Sequence, residues 1–390
     1  MGRMMKADNS DESICSPARL IIISHVKDEV GSNGGSVYTR GVVDILKGAF
    51  SDVQTVYVHE DPINFRKLRI IAAFFGAFVS GLPAKALYFL SYKAARRIRR
   101  ATAVGRADLV IFDHLETSLY SRLIGGKAKA ILIQHNDEVK LLANRVIDLK
   151  WRLGRSILAS DVARLAKFQC KAFERIKNVI FLSADEAAAA DSAIANKFTL
   201  LPSFDYQPAR LRNASRAGKD VVFIGNMNWW PNVDAVNWFV NEVLNSIDND
   251  ITFHVVGHGS HRWSQSNPHI KTYGFVENRE DAWGISPIFI APVRLGAGVN
   301  IKVAEAIYNG RALIATPQAL RGIPLEEDEA IVVVESTSEW VDCLNDPLRL
   351  EALAQEIPKD INRDLFRRSL GGKSLVEYVE NILTVRAVQG

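Results

Sequence analysis

The sequence predicts an α/β protein of two domains, each a parallel sheet flanked by helices. Three observations carry this. Short apolar runs recur along the chain without alternation, as strands buried on both faces require. Several of these runs are followed by a polar, glycine-bearing turn and then by a helical pattern. The length of 390 residues is sufficient for a full core in each of two domains.

Residues 1–18 are polar and mixed in charge, so they are expected to form a flexible tail, neither a signal peptide nor an ordered element. Residues 19–205 are assigned to the first domain. Its first strand is the run 20–24, and Gly34 and Gly35 close a polar segment before a helix from about Ser36 to Lys47. The glycine pair has two readings, a cleft lining or a turn that needs positive φ. A strand at 53–58 leads to residues 65–100, where an apolar stretch, 70–79, lies between Arg66, Lys67 and Arg69 on one side and Arg96, Arg97, Arg99 and Arg100 on the other. That stretch is far short of the roughly 20 residues needed to span a bilayer. It reads either as a segment resting on an anionic membrane surface or as a buried helix with solvated arginines.

Strands at 109–112 and 130–134 end in Asp113-His114 and His135-Asn136. The carboxyl ends of strands line the ligand crevice of a parallel sheet, which makes His114, His135 and Asn136 cleft candidates. A helical tract over 138–177 with a break at Gly154, a strand at 178–182 and an alanine-rich helix over 186–196 complete the domain. Residues 206–219 lack apolar periodicity and read as the linker.

The second domain, 220–371, opens with a strand ending at Gly225 and Asn226, followed by Trp229 and Trp230, which read as packing residues. Strands at 252–256 and 270–273 follow. Asp248 and Asp250 fall in a polar turn at the wrong end of a strand for a metal site, and no other metal spacing is present. The unit that organises the domain is a strand at 288–291, a turn with Gly296 and Gly298, a helix from Asn300 to Tyr308 and a strand at 312–315. Amides at a helix start favour an anion. Arg294 and Lys302 stand beside them, and Glu305 follows Lys302 on one helical face as an acceptor for sugar hydroxyls. Ile301 occupies the place of a third small residue, so the dinucleotide fingerprint is absent, as is a P-loop. A nucleoside diphosphate, held by phosphates and ribose, fits this set.

These residues also resemble a known family. Val222-Phe-Ile-Gly-Asn-Met-Asn-Trp-Trp-Pro-Asn-Val-Asp-Ala-Val, Val255-Val-Gly-His-Gly, Tyr273-Gly-Phe-Val and Gly296-Ala-Gly-Val-Asn-Ile-Lys-Val-Ala-Glu-Ala look like the donor-binding half of family 4 glycosyltransferases, which have the GT-B fold of two Rossmann-like domains facing across a cleft. The resemblance implies a nucleotide-diphosphate sugar as donor, with no further cofactor, and a glycan or lipid-linked acceptor. It implies metal-independent, retaining transfer in cell-surface polysaccharide biosynthesis, in the cytoplasm at the inner membrane face. Phe275 and Val276 would border the nucleobase, Gly34 and Gly35 the cleft, and a helix over 372–390 would cross back to the first domain. His135 would orient the transferred sugar or handle a hydroxyl proton. In that family two glutamates are separated by seven residues, the later one touching the ribose and the earlier one the transferred sugar. Glu305 matches the later position and Ala297 stands at the earlier, so Lys302 and the amides of Gly298 and Val299 would take more of the load, with Asn300 beside them.

Composition sets the outer bounds. Three widely spaced cysteines do not make a disulfide framework or a metal motif, and a net charge of +4 is too mild to imply nucleic acid. The rivals are a nucleotide-sugar epimerase of the same fold and a non-catalytic sugar-nucleotide-binding protein.

Overall fold

The computed structural model describes residues 16–26, 34–58, 66–125, 128–149, 151–190, 194–211, 219–248, 250–265 and 267–384. The expected tail therefore lies outside the described residues except for its last three positions, which belong to the first strand. Six parallel strands form the first sheet: β1 (Ser16–Ser24), β2 (Phe50–Tyr57), β3 (Leu109–Asp113), β4 (Lys129–Gln134), β5 (Asn178–Phe181) and β6 (Asn196–Thr199), in the order β2-β1-β3-β4-β5-β6. Six more form the second: β7 (Asp220–Ile224), β8 (Thr252–Val256), β9 (Ile270–Gly274), β10 (Ile288–Ala291), β11 (Ala312–Ala315) and β12 (Ile331–Val333), in the order β12-β11-β10-β7-β8-β9.

Those orders decide where a ligand can sit. In each sheet the chain first builds one way and then returns to build the other, so a crevice opens where the direction reverses. In the first sheet this is between β1 and β3, and in the second between β7 and β10. Central strands such as β3 and β10 are buried along their whole length, which is why they read as unbroken apolar runs.

Several elements depart from the sequence reading. Strand β6, Asn-Lys-Phe-Thr, starts at the last residue of the stretch read as helix and was not expected; it is a polar edge strand without the apolar signal. The tract 138–177 is divided into the helices Glu138–Asp148 and Arg152–Arg175. Gly154 is instead inside the second helix, where a Cβ would meet the Trp151 ring at 2.4 Å. The first part of the presumed linker is packed: Ala209 is buried, its amide donates to Asn309 Oδ1 (2.9 Å), and the Tyr206 hydroxyl reaches Glu305 (2.8 Å).

The last helix, Arg368–Thr384, crosses back to the first domain. Tyr378 stacks on Phe198 with ring centres 4.5 Å apart, and Lys129 Nζ donates to the terminal carbonyls of Ile382 and Leu383. A cation there caps the negative end of the helix.

Candidate active site

The two switch points face one another across a cleft of about 570 Å³. Its walls include Gly34, Gly35, His114, His135 and Asn136 from the first domain. From the second come Gly225, Asn226, Phe275, Val276, Gly296, Gly298, Val299, Asn300, Lys302 and Glu305. All the cleft residues expected from sequence are thus brought together, with one exception. Arg294 does not line the cleft: its guanidinium pairs with Asp234 (2.9 Å) and lies over the Trp238 ring. Asp234, on the helix Trp230–Trp238, draws it to the other side of the turn.

The donor-side wall is built on the helix Ile301–Tyr308, whose buried face is Val303, Ala304, Ala306 and Ile307. Its N-cap, Asn300, makes no side-chain cap bond, and no hydrogen bond reaches the amides of Val299, Asn300, Ile301 or Lys302 among the described residues. These are the orphan donors every helix start carries. Gly298 differs from the expectation: its amide donates to Glu186 Oε1 of the first domain (2.8 Å). Gly298 has φ 76, and a Cβ there would lie 2.5 Å from Asn136 Oδ1, so the turn touches the opposite wall and only glycine fits.

Lys302 is part-buried over the Phe223 ring, and its ammonium donates to Asn232 Oδ1. Burial pulls its pKa down to about 7, because no carboxylate offsets the lost hydration. Asn232 is itself buried and donates to Asn226 O (2.8 Å), so one amide side chain joins the β7 turn to Lys302. Glu305 accepts from Tyr206 (2.8 Å) and Arg279 (2.5 Å), both on Oε1. Arg321 donates to Gly296 O (3.2 Å) and Gly298 O (2.7 Å), bracing the turn. Phe275 stacks on His258 with centres 4.4 Å apart at 7°. Trp229 is 44% exposed and lines the cleft rather than packing.

The acceptor-side wall is organised by Asp113, at the end of β3. Its carboxylate accepts from Ser24 (2.6 Å), Thr39 (2.9 Å) and His135 Nε2 (2.6 Å). Burial would raise the Asp113 pKa, but the two histidines outweigh it and hold the acid below its usual range. His135 stacks face to face on His114, centres 3.5 Å apart and 10° from parallel. Burial and that neighbour lower the His135 pKa, whereas His114 is raised because Asp113 outweighs burial. His114 holds φ 74, an uncommon conformation for a non-glycine residue and one kept only where the surroundings demand it. Asp113, His114 and His135 bring ligand-type atoms within 4.8 Å. The stacked rings nevertheless disfavour an ion, which cannot lie in both ring planes at once.

Beside this group Lys85 pairs with Glu116 and with Glu138 (2.5 Å). Burial would lower its pKa, but the two acids raise it. Sequence reasoning missed this charge cluster, along with Asp113 as a hub, Asn232, Arg279, Arg321 and Glu186. Only Asp113 carried a local signal, its place at a strand end.

Two Rossmann-like parallel sheets meeting at their switch points, with a final helix that returns, constitute the GT-B architecture. Residues 218–349, most of the second domain, match the family model described as glycosyl transferases group 1. No curated protein matches the chain. Among solved structures it is similar to sucrose-phosphate synthase from Thermosynechococcus elongatus (TM-score 0.66, 11% identity, 95% of this chain and 100% of that one). It is also similar to Anabaena Alr3699/HepE in complex with UDP and glucose (TM-score 0.61, 10% identity, 93% and 99%). A third likeness is to TarM (TM-score 0.54, 13% identity), of which the match covers 57% against 74% of this chain. At these identities the shared property is the fold.

Proposed function

We propose that the chain moves a sugar from a nucleoside-diphosphate sugar, held by the second domain, to a hydroxyl of a glycan or lipid-linked acceptor on the first-domain side. The observation that carries this is the open start of the helix Ile301–Tyr308, where unpaired amides and a lysine short of a counter-ion face the cleft. An arriving diphosphate supplies the missing negative charge, and the same donors meet the charge that grows on it as the sugar–oxygen bond breaks. Glu305, one turn further on, has Oε2 left to accept ribose hydroxyls. The flat His258–Phe275 stack at the rim offers a surface for a base.

His135 gives Nε2 to Asp113, so the neutral ring carries its proton there and leaves Nδ1 as an acceptor for a sugar hydroxyl. The charge of the departing diphosphate is answered by amides and Lys302, so this route needs no metal. Retention of configuration, a role in cell-surface polysaccharide biosynthesis and action at the cytoplasmic membrane face follow from the family 4 resemblance.

UDP is the first probe, since it accompanies the Anabaena neighbour. At 100 times its dissociation constant a true ligand should stabilise the protein by about 2.7 kcal/mol in a thermal-shift assay. Lys302→Ala should remove most of that shift and most turnover while leaving the unliganded midpoint nearly unchanged. A variant as active as the parent in a donor-consumption assay would take Lys302 out of the mechanism. Sugar rearrangement without any acceptor would identify an epimerase instead.

A further inference from the structure

The helix Arg66–Ser80 is turned the wrong way round for a soluble surface. Its small residues, Ala73 and Ala77, face inward onto Ala84 in a minor core of their own. Of its large ones Phe74 packs against that core, but Leu68, Ile71, Phe75, Phe78 and Val79 face out, Phe75 exposed by 71% and Phe78 by 80%. Their spacing puts them on one side of the helix. A buried helix would show the reverse, so the reading of residues 65–100 as core fails for this element.

The surroundings say what covers that face. Between Arg66 and Ala107 the chain has ten lysines and arginines and no acidic residue. Arg69 donates to the carbonyls of Tyr88 (2.7 Å) and Leu90 (3.2 Å), which ties the apolar helix to the segment entering the helix Tyr92–Ala101. That second helix buries Ala94 and Ile98 and exposes Arg96, Arg99 and Arg100, none of which makes an ion pair among the described residues. An apolar ridge joined to an unneutralised basic one matches the boundary of an anionic bilayer, acyl chains beneath and negative headgroups above. A protein partner would need an apolar groove with acids around it, which this chain does not offer to a second copy of itself at any site described above.

We propose that the helices Arg66–Ser80 and Tyr92–Ala101 form a docking surface for a bilayer rich in anionic lipid, with Phe75 and Phe78 entering the acyl boundary and the arginines held at the headgroups. Insertion is from one side: among the described residues no helix is long and apolar enough to cross a membrane. The surface adjoins the acceptor-side wall, because Lys85 of the intervening helix Ala84–Tyr88 lines the cleft. An acceptor anchored in the same bilayer would therefore be presented to that wall. The docking itself does not depend on the transferase reading.

The test is co-sedimentation of the full chain with vesicles of phosphatidylcholine alone or mixed with phosphatidylglycerol, at low and high salt. Binding is expected to the mixed vesicles and to weaken with salt. Phe75→Ser with Phe78→Ser should lower the partition coefficient by about tenfold or more on both vesicle types. Arg96→Gln, Arg99→Gln and Arg100→Gln should each lower it by about fivefold, on anionic vesicles only. All five side chains are exposed, so circular dichroism and the UDP thermal shift should be unchanged, which separates failure here from failure of the donor site. No sedimentation with mixed vesicles at low salt, or equal sedimentation of the double phenylalanine variant, overturns the proposal. A parent dimer that this variant dissociates, without vesicle binding, assigns the face to a second copy and overturns it as well.

Discussion

An ammonium that sits over the Phe223 ring beside Asn232, without a carboxylate, gives up its proton more easily than one in water. In the empty protein Lys302 therefore changes charge near pH 7. A bound diphosphate favours the charged form and raises that pKa. Below about pH 7 the lysine is protonated with or without ligand, and affinity is indifferent to it. Above that point binding must take up a proton, so nucleoside-diphosphate affinity should fall as pH rises, by up to about tenfold per unit. Lys302→Arg keeps its charge throughout and should flatten the profile. Calorimetric titration of UDP from neutral to alkaline pH reads both outcomes, and an equally steep profile in the arginine variant would assign the proton to another group. Lys302 was legible because it follows a glycine turn into a helix. Arg294 looked equally good by sequence and was not, since only the fold shows that Asp234 claims it.

At the scale of elements, the second domain depends on how closely the strand ends of β7 and β8 approach. Gly257 holds φ 127, and a Cβ there would come within 1.9 Å of Gly225 O, a backbone atom that cannot step aside. Gly296 holds a similar φ of 131 but has open space around it. Gly257→Ala should therefore destabilise the domain by roughly 3 kcal/mol or more, and Gly296→Ala by only about 1–2 kcal/mol of backbone strain. Urea unfolding of the two variants compares them directly. Equal losses would mean that strain, not the clash, sets the cost. The same closeness explains what the sequence showed of the elements. Strands in the middle of either sheet are announced by their apolar runs, and turns by their glycines. The edge strand β6, polar and only four residues long, is announced by neither.

Over the whole molecule, the two-domain plan was legible because each strand–turn–helix unit is local and repeats. What joins the units was not. The Asp113 hub gathers Ser24, Thr39 and His135 from three separate elements, and Lys85 finds Glu116 and Glu138 across comparable gaps in sequence. No local pattern encodes such meetings. The bond from the Gly298 amide to Glu186 is of this kind, and it has a consequence for turnover. Glu186 is a carboxylate seated where a phosphate oxygen could sit, and the two exclude each other. By reciprocity, whatever the tie between the halves gains from that bond, a ligand reaching for the same amide must overcome. Glu186→Ala should tighten UDP by about fivefold or more, measured by the same calorimetry. Unchanged affinity would show that the phosphate never reaches this amide. On the proposed function, Glu186 is a built-in mimic of the donor's charge, and an entering donor would be the key that unfastens a clasp the empty protein keeps shut.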